Sequence, residues 1–143
     1  MLNDAERLVE AWAGFLGDYA WNHGAHLTTR FPLSDVAIYS ELRNGFIRRL
    51  ARMTGRSVAW FAAKESTYED RPHLHVLLGA TASLTTKQLA WAWKAGHSRI
   101  TLLHTQKQAI RYVVKEVGRY PDNYGLSRIW IPRSHPDIGP GEC

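Results

Sequence analysis

Two histidines, one residue apart, stand in the apolar run "RPHLHVLL" at residues 71–78. Side chains alternate across a strand, so His73, His75 and Leu77 share one face while Leu74, Val76 and Leu78 share the other. The second trio reads as core, and the first presents two adjacent imidazoles, which make half of a metal site. A preceding apolar run, "SVAWFAAKE", ends in Glu65 and is joined to the histidine run by the polar stretch "STYEDRP". Two such runs around a short polar loop predict an antiparallel hairpin. The register that sets Glu65 opposite His73 sets Ala63 opposite His75 and Phe61 opposite Leu77, all on one face. A slip of one residue would turn Glu65 away. In that register two nitrogens and one oxygen meet, with positions left for water or substrate. Such an open set suits Mg²⁺ or Mn²⁺, and the imidazoles tilt it toward Mn²⁺. Zinc hydrolases and non-haem iron oxygenases use the same ligand types, so the ligands alone leave the chemistry open.

The second group with chemical potential is in "TQKQAIRYVVKEVGR". At about 100° per residue, Ile110, Val113, Val114 and Val117 form the buried arc of a helix. Tyr112 points the other way, in the company of Gln108, Lys115, Glu116 and Arg119. A phenol hydroxyl is a nucleophile with a free pKa of about 10, so it is mostly neutral. Lys115, one turn further on, is placed to offset part of that deficit.

The elements that must hold these groups follow from periodicity and punctuation. Residues 3–17 predict a short amphipathic helix, and "GAHLTTRFP" a strand between Gly24 and Pro32. Ser34 caps a longer helix from about Asp35 to Met53, with Tyr39, Leu42, Phe46, Leu50 and Met53 inward and Gly55 at its end. The hairpin follows. A helix then opens at Thr85 or Thr86 and runs to about Lys94, and "HSRITLLH" is a fourth strand. Thr105 and Gln108 fit a capping box at the head of the tyrosine helix, which ends near Gly118. "SRIWIP" is a short fifth strand, and residues 132–143 a loose tail. This interleaved order with a central hairpin predicts an α+β fold, a mainly antiparallel five-stranded sheet with flanking helices. No repeat or linker divides residues 1–143, which read as one domain.

Composition sets the frame. The chain is 45% hydrophobic and 22% charged over 143 residues, enough to bury a real core. Its one cysteine, Cys143, excludes an intrachain disulfide and a cysteine-rich zinc knuckle. No apolar run approaches a membrane span, and "MLNDAERLVEAW" carries early acids, unlike a signal peptide. The expectation is a cytoplasmic protein with no membrane partner. The net charge of +5 suits a polyanion. No acid falls between Glu41 and Glu65, and Arg48, Arg52 and Arg56 recur there at helical spacing. That stripe is either a solvated helix face or a DNA-binding one.

Taken together, "HLTTRF", "RPHLHVLL" and "AIRYVVKEV" resemble, in order, the three motifs of the HUH endonucleases, the rolling-circle replication initiators of phages, plasmids and small DNA viruses. "PHLHVLL" looks like their His-hydrophobic-His motif, "YVVK" like their Tyr-x-x-Lys motif and "LTT" like their first strand motif. Glu65 matches the place where many of them carry a third metal ligand. The resemblance covers roughly residues 25–118. It implies a fold related to the ferredoxin and RNA-recognition folds, with the metal, Mn²⁺ or Mg²⁺, on Glu65, His73 and His75. It further implies that Tyr112 attacks single-stranded DNA to form a 5′-phosphotyrosine link and that Lys115 assists. Thr28 and Arg30 of the first motif, with Arg48, Arg52 and Arg56, are the expected DNA contacts. Where a second tyrosine often follows one turn later, this chain has Glu116, which implies a single-tyrosine enzyme. Nothing after Gly118 has the length of a helicase domain, so the implied partners are an origin hairpin and a separate helicase and polymerase. Single-tyrosine transposases of the same superfamily usually carry glutamine one turn after the tyrosine, so Lys115 and "LTT" favour the replication type. A non-catalytic nucleic-acid-binding module is the alternative of another class, with Trp60 or Phe61 stacking bases and the arginine stripe on phosphates.

Overall fold

Both faces of the histidine strand are spoken for by neighbours, and this sets the architecture. A computed structural model describes residues 1–65, 72–119 and 124–127. Helix α1 (Asp4–Gly17) leads into strand β1 (His23–Thr28). Next come α2 (Asp35–Ser40), a π-helical stretch (Glu41–Ile47) and α3 (Arg48–Thr54), which form one uninterrupted run. The hairpin strands are β2 (Ala59–Glu65) and β3 (His73–Gly79), followed by α4 (Thr86–Ala92), β4 (Ser98–Leu102), α5 (Gln106–Arg119) and β5 (Tyr124–Leu126). The strands form a single sheet in the order β4-β1-β3-β2-β5, and every described pairing is antiparallel. The protein is therefore α+β with a five-stranded antiparallel sheet and flanking helices.

The hairpin has the register that brings Glu65 opposite His73, Ala63 opposite His75 and Phe61 opposite Leu77. Leu74, Val76 and Leu78 join Ala25, Leu27, Trp60 and Ala62 in one core layer, covered by Ile38, Leu42, Phe46 and Leu50 from the α2–α3 run and Leu89 from α4. The other face is also a core over part of its length. Ala59, Phe61, Ala63 and Leu77 are buried there beneath Leu16 of α1 and Ile110, Val113, Val114 and Val117 of α5. Packing of α1 and α5 thus covers one end of this face and leaves the His73 and Glu65 end only partly buried.

Local chemistry explains the element boundaries. Asn3 accepts a hydrogen bond from the Glu6 amide at 2.8 Å, and Ser34 accepts one from the Ala37 amide at 3.1 Å, each satisfying a first-turn donor. Thr85 and Gln88 form a reciprocal capping box at the head of α4. Gly55 ends α3 with φ 73°, the left-handed conformation a side chain resists. Gly96 has a different reason. A Cβ there would collide with the Thr28 carbonyl oxygen, and its absence lets the α4–β4 connection lie against β1. The Thr28 amide bonds to the His97 carbonyl at 2.9 Å and the Trp93 indole to the Thr28 carbonyl at 2.8 Å, which seals that approach.

One element differs from the sequence-based expectation. The helix expected from Asp35 to Met53 is wound as a π-helix through its middle. Ile38, Leu42, Phe46 and Leu50 are completely buried and recur every fourth residue. That spacing exceeds the 3.6 residues of an α-turn, and the wider winding keeps the stripe on the core. A strand at Tyr124–Leu126, where Phe61 pairs with Leu126 and Ala63 with Tyr124, takes the edge beside β2. Ser127 closes this edge: its amide donates to the Trp60 carbonyl and its Oγ accepts from the Trp60 amide, both at 2.9 Å. The rest of "SRIWIP", most of the 66–72 loop and the expected tail at 132–143 lie outside the described residues.

Candidate active site on the histidine face of the sheet

Pairing across all five strands lays out one transverse row on a single face. Arg99 on β4 is opposite His26 on β1, His26 is opposite His75 on β3, His75 is opposite Ala63 on β2, and Ala63 is opposite Tyr124 on β5. The next row outward carries Thr28, His73 and Glu65. Ala63 has no bulk beyond Cβ, so nothing on β2 crowds His75 from that side. Glu65 leans diagonally across the gap, and its Oε2 is 3.0 Å from His75 Nε2. In the neutral tautomer that makes this bond, Nε2 carries the proton and donates it to the carboxylate.

A further member of the patch is His26 on β1, whose spacing along the chain does not mark it as a ligand. Its ring stacks on His75 with centroids 4.7 Å apart and planes within 2°, and its Nε2 lies 3.3 Å from His73 Nδ1. Three imidazoles and one carboxylate therefore occupy one patch. Burial, and after it the nearby His75, His73 and Arg99, lower the His26 pKa to about 4 against the opposing pull of Glu65. At neutral pH this ring is uncharged and keeps a lone pair. Glu65 titrates below the ordinary carboxylate range, chiefly because His75 hydrogen-bonds it. Burial opposes that shift, and the charges of His75, His73 and His26 add to it.

Helix α5 brings the tyrosine to the same patch. Its valine arc packs on the sheet face that carries the histidines, so Tyr112 emerges at the border of the covered region. The Tyr112 ring meets His75 edge-on, with centroids 4.9 Å apart at 87°, while the residue stays 60% exposed. Lys115 is exposed one helical turn later. The elements thus gather His73, His75, Glu65 and Tyr112, residues far apart in the chain, with His26 as a further member.

Other expected contacts fall elsewhere. Thr28 lies in the outer row, its Oγ1 3.4 Å from the His97 carbonyl. Arg30 is engaged, its Nη2 donating to the Lys94 carbonyl at 2.7 Å. Arg48, Arg52 and Arg56 are exposed, but α3 packs through Leu50 on the opposite side of the sheet from the histidines. Trp60 and Phe61, the stacking platforms of the non-catalytic alternative, are 4% and 0% exposed and offer no ring face to a base.

Among the described residues, no group of three or more His, Cys, Asp or Glu side chains converges on a single cation as the side chains stand. The protons shared within the Glu65–His75 and His26–His73 pairs occupy donor atoms that a cation would need. The donor chemistry nonetheless fits a divalent ion: Glu65, His73 and His75 share a face, His26 adds a neutral nitrogen, and no lysine or arginine intervenes between them in the pairing. These four are the residues that could hold one.

No helix among the described residues is long and apolar enough to cross a membrane. Comparison of the chain with models of protein families, with curated proteins and with solved structures finds no match.

Proposed function

We propose that this protein is an HUH-type endonuclease and strand transferase that cuts and rejoins single-stranded DNA through Tyr112. The observation that carries this reading is the packing of an exposed tyrosine edge-on against His75, whose Nε2 is bonded to Glu65. A structural tyrosine has no need of such neighbours, whereas a phosphodiester-attacking one needs its phosphate held beside it. The strand order, with the two motif histidines on the central strand β3, supports the same reading.

Glu65, His73 and His75 would hold Mn²⁺ or Mg²⁺, which supplies charge to polarise the scissile phosphate. The Tyr112 oxygen attacks phosphorus and gives up its proton to solvent as the tyrosine–phosphate bond forms. The bond from phosphorus to the 3′ oxygen breaks, and that oxygen takes up a proton to become a free 3′ hydroxyl. The exposed Lys115 ammonium steadies the developing charge on the phenolic oxygen. Edge-on packing against His75 restricts the tyrosine ring, so less freedom is lost on reaching the attacking geometry. The DNA end on Tyr112 retains the bond energy for rejoining. The free hydroxyl suits extension by a polymerase after cutting at an origin hairpin. This is the chemistry of rolling-circle initiation. A single-tyrosine transposase would differ in the DNA it recognises.

The test is incubation with Mn²⁺ and labelled single-stranded oligonucleotides, candidate origin hairpins and transposon ends included, followed by a denaturing gel. A covalent protein–DNA adduct that disappears in Tyr112→Phe supports the proposal. Metal-free DNA binding with no adduct on any substrate would replace it with a binding module.

A further inference from the structure

The positive charge of the chain is gathered on the side of the sheet away from the histidines. Residues 29–58 and 81–97 build that layer, and they carry eight arginines and lysines against two acids, a net charge of +6. The whole chain is +5, so everything outside these segments, the histidine patch included, sums to −1. One of the two acids, Asp35, is ion-paired with Lys64 of β2, which leaves Glu41. Arg48, Arg52 and Arg56 of α3 are exposed, as are Lys87 on α4 and Lys94 just after it. The Arg49 guanidinium donates to the Ala92 carbonyl at 3.0 Å and ties α3 to the end of α4, so these cations share one surface.

Between the β1–α2 connection and the end of α4, this surface is indented by a mostly apolar cleft of about 240 Å³. Phe31, Leu33 and Ala95 form its apolar wall, and Arg30, Lys94 and Glu41 its polar rim. Phe31 is 73% exposed, and Trp91 beside Lys94 also faces solvent. Both cations of the rim are held in place. Arg30 donates through one nitrogen to the Lys94 carbonyl at 2.7 Å, which leaves the other donors of its fork for a ligand. The Lys94 ammonium rests 3.6 Å from the centre of the Trp91 ring.

We infer that this surface docks an acidic segment of a partner protein, with one bulky apolar side chain in the Phe31–Leu33–Ala95 cleft and carboxylates against Arg30, Lys94 and the arginines of α3. The inference stands on the charge and shape of this layer and is independent of the Tyr112 chemistry on the other face. Charge complementarity selects an anionic partner. The cleft then selects among anions. A duplex presents phosphates and has no apolar side chain to insert, and an unpaired strand is held chiefly by rings on which its bases stack. Here Leu33 and Ala95 make much of the wall, and one face of Trp91 already carries Lys94. A peptide supplies carboxylates and an apolar side chain within a few residues. Arg30 and Lys94 are fixed before the partner arrives, so pairing with them costs less side-chain freedom than pairing with loose cations. A carboxylate also meets the open donors of Arg30 through parallel hydrogen bonds. Glu41 opposes an acid at the cleft itself, so the apolar residue belongs there and the acids to either side.

The test is selection of short randomised peptides, displayed on phage, against the immobilised full chain. Selected peptides are expected to carry several aspartates or glutamates around one bulky apolar residue. One of them, synthesised with a fluorescent label, is then titrated by anisotropy, with its unlabelled form and a short DNA duplex as competitors. Saturable binding is expected, weakened about tenfold by Phe31→Ala through loss of apolar burial. The combined Arg48→Gln, Arg52→Gln, Arg56→Gln variant should weaken it to a similar degree, about tenfold, and flatten its salt dependence. Glu41→Gln should strengthen it, a sign that a surface merely adhesive to apolar peptides would not give. All these residues are exposed, and circular dichroism checks that each variant keeps the fold. A selection that enriches nothing, or peptides without an excess of acids, overturns the inference. Binding that none of the substitutions changes overturns it as well. A duplex that displaces the peptide at lower concentration than the unlabelled peptide does, through the same arginines, reassigns the layer to nucleic acid and refutes the peptide site.

Discussion

Lowering the pH should loosen this fold, and His26 is the main reason. The ring is held between His75, His73 and Arg99, and its pKa in the folded state is about 4 against an ordinary 6.5. The sign follows from proton counting. Below about pH 6.5 the unfolded chain protonates this histidine while the folded protein does not, so acid favours unfolding. The stability is present in full above the unfolded pKa and drains away as the pH falls toward about 4. Between pH 6.5 and 5 the difference reaches at most about 2 kcal/mol, at 1.36 kcal/mol per pKa unit. Solvent reaches part of the ring, which reduces the expected loss to about 1–2 kcal/mol. His23 adds a contribution of the same sign, because burial beside Thr81 lowers its pKa too. Urea denaturation followed by tryptophan fluorescence at pH 7 and pH 5 measures the total. His26→Gln should flatten the pH dependence, leaving the part that His23→Gln then removes. If His26→Gln loses as much stability between pH 7 and 5 as the wild type does, the ring is not held neutral by burial and its charged neighbours and the reasoning fails.

Tyr112→Phe removes one oxygen from a side chain that is 60% exposed, so stability should change by less than about 0.5 kcal/mol while the DNA adduct disappears. An adduct surviving in that variant would move the reaction to another tyrosine. Lys115→Ala should slow adduct formation without eliminating it, as read by single-turnover kinetics. The His73→Ala, His75→Ala double variant should lose metal-dependent cleavage. Because His75 is 3% exposed, stacked on His26 and bonded to Glu65, it should also lose about 1–2 kcal/mol of stability by denaturant titration. Neutralising Arg48, Arg52 and Arg56 should leave adduct formation on a short single-stranded oligonucleotide unchanged, since they project from the opposite layer. Any contact they make to longer DNA will appear as a salt slope flattened by about one unit per lost phosphate, measured by anisotropy.

The placement of His26 suggests how the patch works as a unit. A neutral imidazole stacked on His75 limits the tilt of that ring, and the Glu65 carboxylate limits its rotation. The ring against which Tyr112 packs is thus fixed from two directions. Sites of this kind depend on supporting contacts as much as on the reacting groups, because small displacements of a nucleophile cost rate steeply.

Features that depend only on neighbours along the chain are legible in the residues alone. Strand alternation separates His73 and His75 from Leu74 and Val76, and the hairpin between them and Glu65 needs no more than a short loop. The valine arc of α5 turns Tyr112 outward for the same local reason, and the Ser34 cap and the Gly55 stop are readable from one helical turn. Tertiary structure decided which strands lie side by side. His26 belongs to the patch because β1 inserts next to β3, and Arg99 faces His26 because β4 takes the edge beyond it. Periodicity cannot disclose either pairing, since a strand of period two can be buried against several partners and only burial of the whole sheet selects among them. Docking of α5 on the histidine face, and of α3 on the other, likewise brought Tyr112 to His75 and carried the arginine stripe away. The strand at Tyr124–Leu126 took the edge beside β2, where the Ser127 bonds to Trp60 tie the chain to β2, an anchor visible only once β2 has a free edge.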